Sequence, residues 1–242
     1  MLCSFLYLAR ARRLQFLSLS LCLAFVLSAC GSKEPDQRAA FIQFLQTRIV
    51  DKPGVRVPRP SDEEKKSFGP YIADYAVITE FNDTLSNSVS KPMGDLMNKG
   101  AFRSVADVVT RRDDIQIVKG ALGNLRAALD KELVRANVAH AGMKQPEDLK
   151  VVYDTAFGKT VTQPAAAFME IFPAVDGTLD QTLQIADYLQ LNRNKVQFSG
   201  GTVMTVDAAT QSELNKMLED LQSRAAALST AQRKLQALTY GS

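Results

Sequence analysis

The residue with the most clearly defined chemistry in this sequence is Cys30. Residues 27–30 read LSAC, with an apolar stretch before them and the polar segment GSKEPDQR after them. A cysteine thiol ionises to a thiolate, which is a good nucleophile. The pattern is typical of a bacterial lipobox, in which the thiol takes a diacylglyceryl group and the chain is cut before the cysteine. We therefore predict cleavage between Ala29 and Cys30 and lipidation of Cys30. An ordinary secretory cleavage site beside an accidental cysteine is the alternative.

The residues before Cys30 are organised like a secretory signal peptide. Arg10, Arg12 and Arg13 are the only charged residues there, and the mostly apolar residues 14–27 follow them. A membrane-spanning helix needs about 20 apolar residues, so this segment is short for a permanent anchor. We predict a lipoprotein signal peptide over residues 1–29 and a lipidated tether over residues 30–35. A retained anchor helix is the second interpretation.

Removal of such a signal peptide would change both the cysteine content and the charge of the chain. Cys3 and Cys22 would leave with it, so the acylated Cys30 would be the one remaining cysteine, with no disulfide and no free thiol. The full chain has 29 Lys and Arg against 26 Asp and Glu. Loss of the three arginines before Cys30 leaves equal numbers of the two. A neutral mature chain does not indicate a nucleic-acid partner, which usually selects a clustered basic face.

Other residues that could support catalysis or metal binding form no convincing set. His140 is the only histidine, whereas a zinc site usually takes several His or Cys ligands. A residue at the end of a helix is the better interpretation. Residues 88–91 read SVSK and fit S-x-x-K, but the accompanying S-D-N and K-T-G motifs are absent. Gly200 and Gly201 lack the Lys-Ser/Thr of a phosphate loop. We predict no catalytic residue, no metal and no cofactor, with an unidentified hydrolase-like activity as the remote alternative.

Two charged clusters and three aromatic residues have structural interpretations. The clusters DEEKK at 62–66 and RRDD at 111–114 are typical of solvated helix starts, where carboxylates complement the helix dipole. Tyr71, Tyr75 and Phe81 recur at helical spacing and are expected in the core. A groove for an apolar ligand or a partner helix is the alternative for these aromatic residues.

The elements that would position these residues are mostly helices. Apolar residues recur every three or four positions over 36–50, 61–89, 115–133, 147–161, 164–172 and 178–192. Pro/Gly-rich segments separate them, and Pro173 is expected to close one helix. We predict a mainly α fold, an elongated antiparallel helical bundle that forms a single domain over residues 36–242.

One segment departs from the helical pattern. Residues 196–206 are rich in β-branched residues on both sides of Gly200 and Gly201, which predicts a small β-hairpin packed on the helices. Asp207 is expected to cap the last and longest helix. Leu214, Leu218, Leu221, Ala225, Leu228 and Leu235 follow heptad spacing in that helix. We favour packing of this stripe within the chain, and a self-associating coiled coil is the alternative.

Three stretches together resemble the YiaF-like bacterial lipoproteins, a family of unknown function. They are residues 30–46, residues 65–76 and residues 148–157. Similarity extends from the lipobox almost to the C-terminus and is looser over the last third. The resemblance implies a place in a Gram-negative envelope and transfers one functional residue, Cys30.

These observations predict a lipid-anchored periplasmic protein that acts by binding. Its partners would be a membrane, through the acylated Cys30, and an envelope protein. Gly31 follows the cleavage site in place of the aspartate that commonly retains lipoproteins in the inner membrane, so the outer membrane is favoured. A carrier of a lipid or other apolar ligand is the alternative, and it requires a closed apolar cavity of roughly 300 Å³ or more.

Overall fold

A computed structural model describes residues 33–99, 104–199 and 202–241, and it confirms the mainly α fold with one small β-hairpin. Cys30 and the whole predicted signal peptide lie outside the described residues. The first helix begins at Glu34, two residues inside the stretch predicted as a tether. The helices are α1 Glu34–Leu45, α2 Asp62–Phe68, α3 Ile72–Thr84, α4 Lys91–Lys99, α5 Val105–Thr110, α6 Arg112–Ala141, α7 Glu147–Phe157, α8 Gln163–Leu191 and α9 Ala208–Tyr240. The strands are β1 Val196–Ser199 and β2 Thr202–Thr205.

Wide π-helical turns lengthen three of these helices. Gln46–Val50 extends α1, Leu85–Ser90 joins α3 to α4, and Gly158–Thr162 joins α7 to α8. Such a turn inserts one residue and rotates the apolar stripe that follows it. Residues 147–191 therefore form one continuous helical path, which at 1.5 Å per residue is about 65 Å long.

The prediction that Pro173 closes a helix is wrong. Pro173 lies inside α8, and its ring is on the exposed side of that helix. A proline inside a helix costs about 3 kcal/mol because it removes one hydrogen bond and crowds the preceding turn. On the exposed side the freed carbonyl can turn towards water. Burial of Phe168, Ile171 and Phe172 before it and of Val175 and Leu179 after it holds both halves of the helix in place.

Pro164 has its missing hydrogen bond replaced by a side chain. A helical residue at this position would donate its N–H to the carbonyl of Thr160, four residues earlier. Proline has no N–H, and Asn82 of α3 donates its Nδ2 to that carbonyl at 3.0 Å. The same Nδ2 donates to Ile78 O at 2.9 Å. Asn82 thus ties α3 to the junction between α7 and α8.

The predicted start of α2 is confirmed in detail. The Ser61 hydroxyl accepts from the N–H of Glu64 at 3.2 Å, and the Glu64 carboxylate accepts from the N–H of Ser61 at 2.7 Å. These reciprocal bonds form a capping box that satisfies two free donors of the first turn. A 3-10 turn over Gly69–Tyr71 then leads into α3.

The core is most aromatic where α1 meets α2, α3 and α7. Phe41 and Phe44 of α1 pack against Phe68, Tyr75 and Tyr153, with ring centroids 5.0–6.4 Å apart. Tyr75 donates its hydroxyl to Pro58 O at 2.6 Å, and Tyr153 donates to Asp74 O at 2.7 Å. Both side chains are buried, and burial disfavours the charged phenolate. The pKa of each phenol is therefore raised well above the usual value.

The last helix lies along α8. Leu214 is buried, and Leu218, Leu221, Leu228 and Leu235 pack against the core. Ala225, by contrast, is exposed. The heptad stripe of α9 is thus largely used for packing within the chain, as predicted.

The hairpin has the predicted position. Strands β1 and β2 pair antiparallel, with Val196 opposite Thr205, Gln197 opposite Met204, Phe198 opposite Val203 and Ser199 opposite Thr202. Gly200 and Gly201 lie outside the described residues. Asp207 caps α9, since its carboxylate accepts from the N–H of Thr210 at 2.7 Å.

Candidate interaction surface

His140 takes part in a contact between two helices. It lies in the last turn of α6, its Nε2 is 2.7 Å from Asp154 Oδ1 of α7, and its ring stacks on Phe157 at 4.2 Å. Lys150 also donates to Asp154. Burial opposes ionisation of this carboxyl, but the hydrogen bonds from Lys150 and His140 keep the pKa of Asp154 below its usual value. In the part of the chain that the structure describes, no group of three or more His, Cys, Asp or Glu residues could hold a metal ion.

The three aromatic residues singled out from the sequence belong to the core. Tyr71, Tyr75 and Phe81 are buried, with at most 9% of each residue exposed. Tyr71 donates its hydroxyl to Glu34 of α1, and burial together with this bond raises the pKa of Tyr71 to about 12. Tyr71 and Tyr75 pack on Phe41 of α1, and Phe81 is fully buried, so the groove interpretation of this segment does not apply.

The remaining sequence candidates are positioned by ordinary surface contacts. Lys91 donates to Asn87 Oδ1 at 2.9 Å, and Ser88 of the SVSK segment is exposed. Arg112 of the RRDD cluster binds Asp187 of α8 at 2.5 Å. The first contact lies within one helical segment, and the second joins α6 to α8.

One apolar cavity among the described residues is small. It measures about 100 Å³ and lies between α4, α6, α8 and α9, where Met93, Met97, Leu122, Leu179 and Leu228 line it. Two larger depressions, of about 420 and 440 Å³, are open grooves with charged residues such as Arg38 and Lys119 in their walls. Another, of about 260 Å³, is lined mainly by apolar residues such as Phe168 and Leu235.

Four apolar residues are exposed where α8 ends and the hairpin projects. We call them the hairpin surface: Leu191, Phe198, Met204 and Val206, of which 83%, 45%, 50% and 65% are exposed. Val196 anchors β1 to the core at 6% exposure, and β2 packs on α5 and on the start of α9. The hairpin is thus fixed at its base and along β2, while apolar side chains near its tip face solvent. Phe198 lies on one face of the hairpin and Met204 and Val206 on the other, so the exposed apolar groups surround the hairpin. Exposed apolar groups gathered in one region are typical of an interaction site.

The hairpin surface lies far from the N-terminal end of the described chain. Arg38 of α1 binds Asp148 near the start of α7 at 3.5 Å, so the beginning of α1 lies beside the beginning of α7. The hairpin follows the other end of the helical path formed by α7 and α8. Residue 34 and the hairpin are thus near opposite ends of a path about 65 Å long.

The sequence analysis predicted the hairpin but missed its exposed surface. It expected the hairpin to pack on the helices, because an isolated hairpin is marginally stable. A signal was present in the sequence, since Phe198 and Met204 occupy opposite faces of the hairpin and a helix layer can cover only one of those faces.

None of the helices in the described ranges is long and apolar enough to cross a bilayer.

Comparison with known proteins gives a consistent family and no described activity. Residues 18–236 match the family described as "Protein of unknown function (DUF3053)". The chain is 34% identical over 208 residues to "Uncharacterized protein YiaF" of Escherichia coli strain K12, covering 85% of this chain and 87% of that protein. The YiaF protein of Shigella flexneri gives the same values. No solved structure matches. Because both similarities extend over most of the chain, this protein belongs to the DUF3053 family of proteins of unknown function, together with YiaF.

Proposed function

We propose that this protein is a lipid-anchored component of the Gram-negative envelope that acts by binding a protein partner through its hairpin surface. Residues 1–29 serve as the signal peptide, and Cys30 carries the lipid. The lipobox at residues 27–30 supports this reading, and so does the polar segment after it. Two or three acyl chains, each methylene contributing roughly 0.8 kcal/mol when buried, hold a protein on a bilayer almost permanently.

The distance between anchor and hairpin supports the binding role. Three residues separate Cys30 from the start of α1, so the lipid would hold the beginning of α1 near the bilayer. The hairpin surface would then face away from the anchoring membrane, at the distal end of α7 and α8. Gly31 at the position after the cleavage site favours the inner leaflet of the outer membrane.

The exposed hairpin surface is the single observation that favours protein binding over the alternatives. A lipid carrier needs roughly 300 Å³ of enclosed apolar volume, whereas the apolar cavity between α4, α6, α8 and α9 measures about 100 Å³ and a second apolar depression, beside Phe168 and Leu235, measures about 260 Å³.

Mass spectrometry of the mature N-terminus tests the anchor. We expect a chain that begins at Cys30 with acyl chains attached, and a Cys30→Ser variant that fails to mature and leaves no lipidated form. The Gly31→Asp variant is the matched control for sorting, since it should keep the lipid but shift to the inner membrane. An intact leader or an unmodified cysteine in the native protein would contradict the proposal.

Site-specific photo-crosslinking in cells tests the binding role. A photoreactive residue at Phe198 should form adducts with a protein, whereas the same residue at Ile117 of α6, which is 70% exposed, should not. The two positions are both apolar and accessible, so they differ in location and not in reactivity. Equal labelling from both positions, or none from Phe198, would count against binding through the hairpin surface.

A further inference from the structure

The last helix is packed in two separate stretches. Thr210 and Leu214 are buried in its first two turns. Further along, six consecutive residues, Gln222–Ala227, are all exposed. A helix that lies on a neighbour turns a side chain towards it every three or four positions, so here α9 buries no side chain over more than one turn. Residues 228–241 resume the packing as a separate segment, which we call the strap.

The strap covers apolar space that is incompletely filled. Leu228 lines the cavity of about 100 Å³ together with Met97 and Leu179. Leu235 lines the depression of about 260 Å³ beside Phe168. Every residue of the strap is at least partly exposed, and a side chain that borders empty space loses dispersion contacts. Packing therefore holds the strap less tightly than it holds the first turns of α9.

Polar side-chain contacts add little to the attachment of the strap. Lys234 donates to Glu170 of α8 at 3.1 Å, with 66% and 58% of the two side chains exposed. An ion pair as exposed as this contributes little net stability. Gln232 donates to Met97 Sδ at 3.5 Å, and a thioether sulfur is a weak acceptor. These contacts therefore align the strap on its neighbours without holding it strongly.

A backbone latch fixes the C-terminal end of the strap. Val55, in the loop after α1, donates its N–H to Thr239 O at 3.2 Å. Gly54 and Gly241 face each other at this point, both with positive φ, and a Cβ added to Gly241 would overlap the backbone nitrogen of Gly54. Glycine is the residue that permits two backbones to approach so closely. The strap is thus pinned at its end and weakly packed along its length.

We propose that the strap is a cover controlled by this latch, which opens at residues 222–227 and exposes the groove beneath it while the other helices stay folded. The groove lies between α4, α6 and α8, and its lining includes Met93, Met97, Leu122 and Leu179. Leu228 of the strap lies over these side chains in the closed state. Opening would present an apolar surface that adapts readily, because methionine side chains repack easily. The strap therefore regulates access to this groove.

Opening of the strap has a physical consequence that can be measured. Helices shorter than about 12–15 residues are marginally stable in water, so a strap released from α8 loses its helical hydrogen bonds. Its backbone amides then exchange with solvent. This inference goes beyond the proposed function, and it depends neither on the lipid at Cys30 nor on the hairpin surface.

Hydrogen exchange of the full chain, followed by mass spectrometry, provides the first test. We expect the amides of residues 228–240 to exchange well before those of residues 171–189 in α8. The Gly241→Ala variant breaks the latch, so exchange should become about tenfold faster or more over the whole strap. Gln236→Ala is the matched control, because it changes an exposed residue at the same end of α9 without touching the latch.

Three results of this experiment would overturn the proposal. The first is equal protection of the strap and of α8 in the native chain. The second is a Gly241→Ala variant that exchanges at the native rate. The third is faster exchange confined to residues 237–241, because that pattern is ordinary fraying of the last turn and not the opening of one unit.

Thiol labelling provides a second test that reports on the groove itself. Leu179 lies beneath the strap, whereas Leu149 of α7 lies elsewhere in the core, and both are buried. A cysteine in place of Leu179 should react with a maleimide about tenfold faster when Gly241→Ala is added. A cysteine in place of Leu149 is the matched control and should keep its rate. Equal acceleration at both sites, or none at either site, would overturn the proposal.

Discussion

Replacement of Asn82 by alanine should destabilise the fold through a carbonyl on another helix. The Asn82 amide donates to Thr160 O, the carbonyl that an α-helical N–H at position 164 would reach if proline did not occupy that position. Thr160 itself is fully buried. In the Asn82→Ala variant that carbonyl would lose its partner at a site with little access to water.

The expected magnitude follows from the asymmetry of hydrogen-bond energetics. A typical bond contributes about 1 kcal/mol net, but leaving one buried partner unsatisfied costs about 1–3 kcal/mol. We therefore expect the free energy of unfolding to fall by about 2 kcal/mol. For a chain of this size that corresponds to a melting temperature lower by roughly 4–8 °C.

Urea unfolding followed by circular dichroism, in a double-mutant cycle with Pro164→Ala, separates this cause from simple loss of packing. Alanine at 164 supplies the missing N–H, so Asn82→Ala should cost less in that background, by about 1 kcal/mol or more. The reasoning would be refuted if Asn82→Ala cost under 0.5 kcal/mol, a loss typical of surface substitutions. It would also be refuted if its cost were the same with proline and with alanine at 164.

Three further predictions concern the fold. Gly54→Ala should lower the free energy of unfolding by about 1–3 kcal/mol, because Gly54 has φ +66° and an added Cβ would lie 2.4 Å from the backbone oxygen of Thr239. Gly120 is the matched control: it lies in an open helical position, so Gly120→Ala should raise the free energy of unfolding by about 0.5–1 kcal/mol. Thermal melts of both variants measure these changes. Ser61→Ala should cost about 1 kcal/mol by removing one half of the capping box, and an unchanged urea midpoint would argue against that role. The pKa of Asp154 is lowered in the folded chain, so the ionised carboxylate stabilises the fold fully above the unfolded pKa of 3.8, and this stabilisation is lost as the pH falls through the lower folded pKa. The difference in melting temperature between the native chain and Asp154→Asn should therefore shrink below pH 3.8. A difference that stays constant would contradict this.

Features decided by neighbouring residues were predictable from the sequence. The capping box at Ser61 and the cap at Asp207 depend on atoms three residues away, so local sequence is sufficient to identify them. The hairpin was recognisable for the same reason, from β-branched residues around a glycine pair. The apolar stripe of α9 follows one helical period, and it packs on the core as expected.

Features decided by distant parts of the chain were not predictable in this way. Pro173 was expected to end a helix, because its local cost is visible and the burial on both sides of it is not. The wide turn over Gly158–Thr162 likewise depends on a side chain from α3, since Asn82 completes the hydrogen bonding that Pro164 interrupts. A hydrogen bond between residues 78 positions apart leaves no periodic trace in the sequence.

The sequence by itself predicted a leader and a lipobox at Cys30, and it determined the helical class and the position of the hairpin, because each depends on a short run of residues and its local geometry. Only the tertiary structure decided against the groove interpretation of Tyr71, Tyr75 and Phe81, fixed the sizes of the cavities, and left Phe198 and Met204 exposed. Those outcomes depend on which surfaces meet when nine helices and two strands pack within the described residues. Burial is a property of the whole arrangement, whereas helix caps and turns are properties of a few consecutive residues.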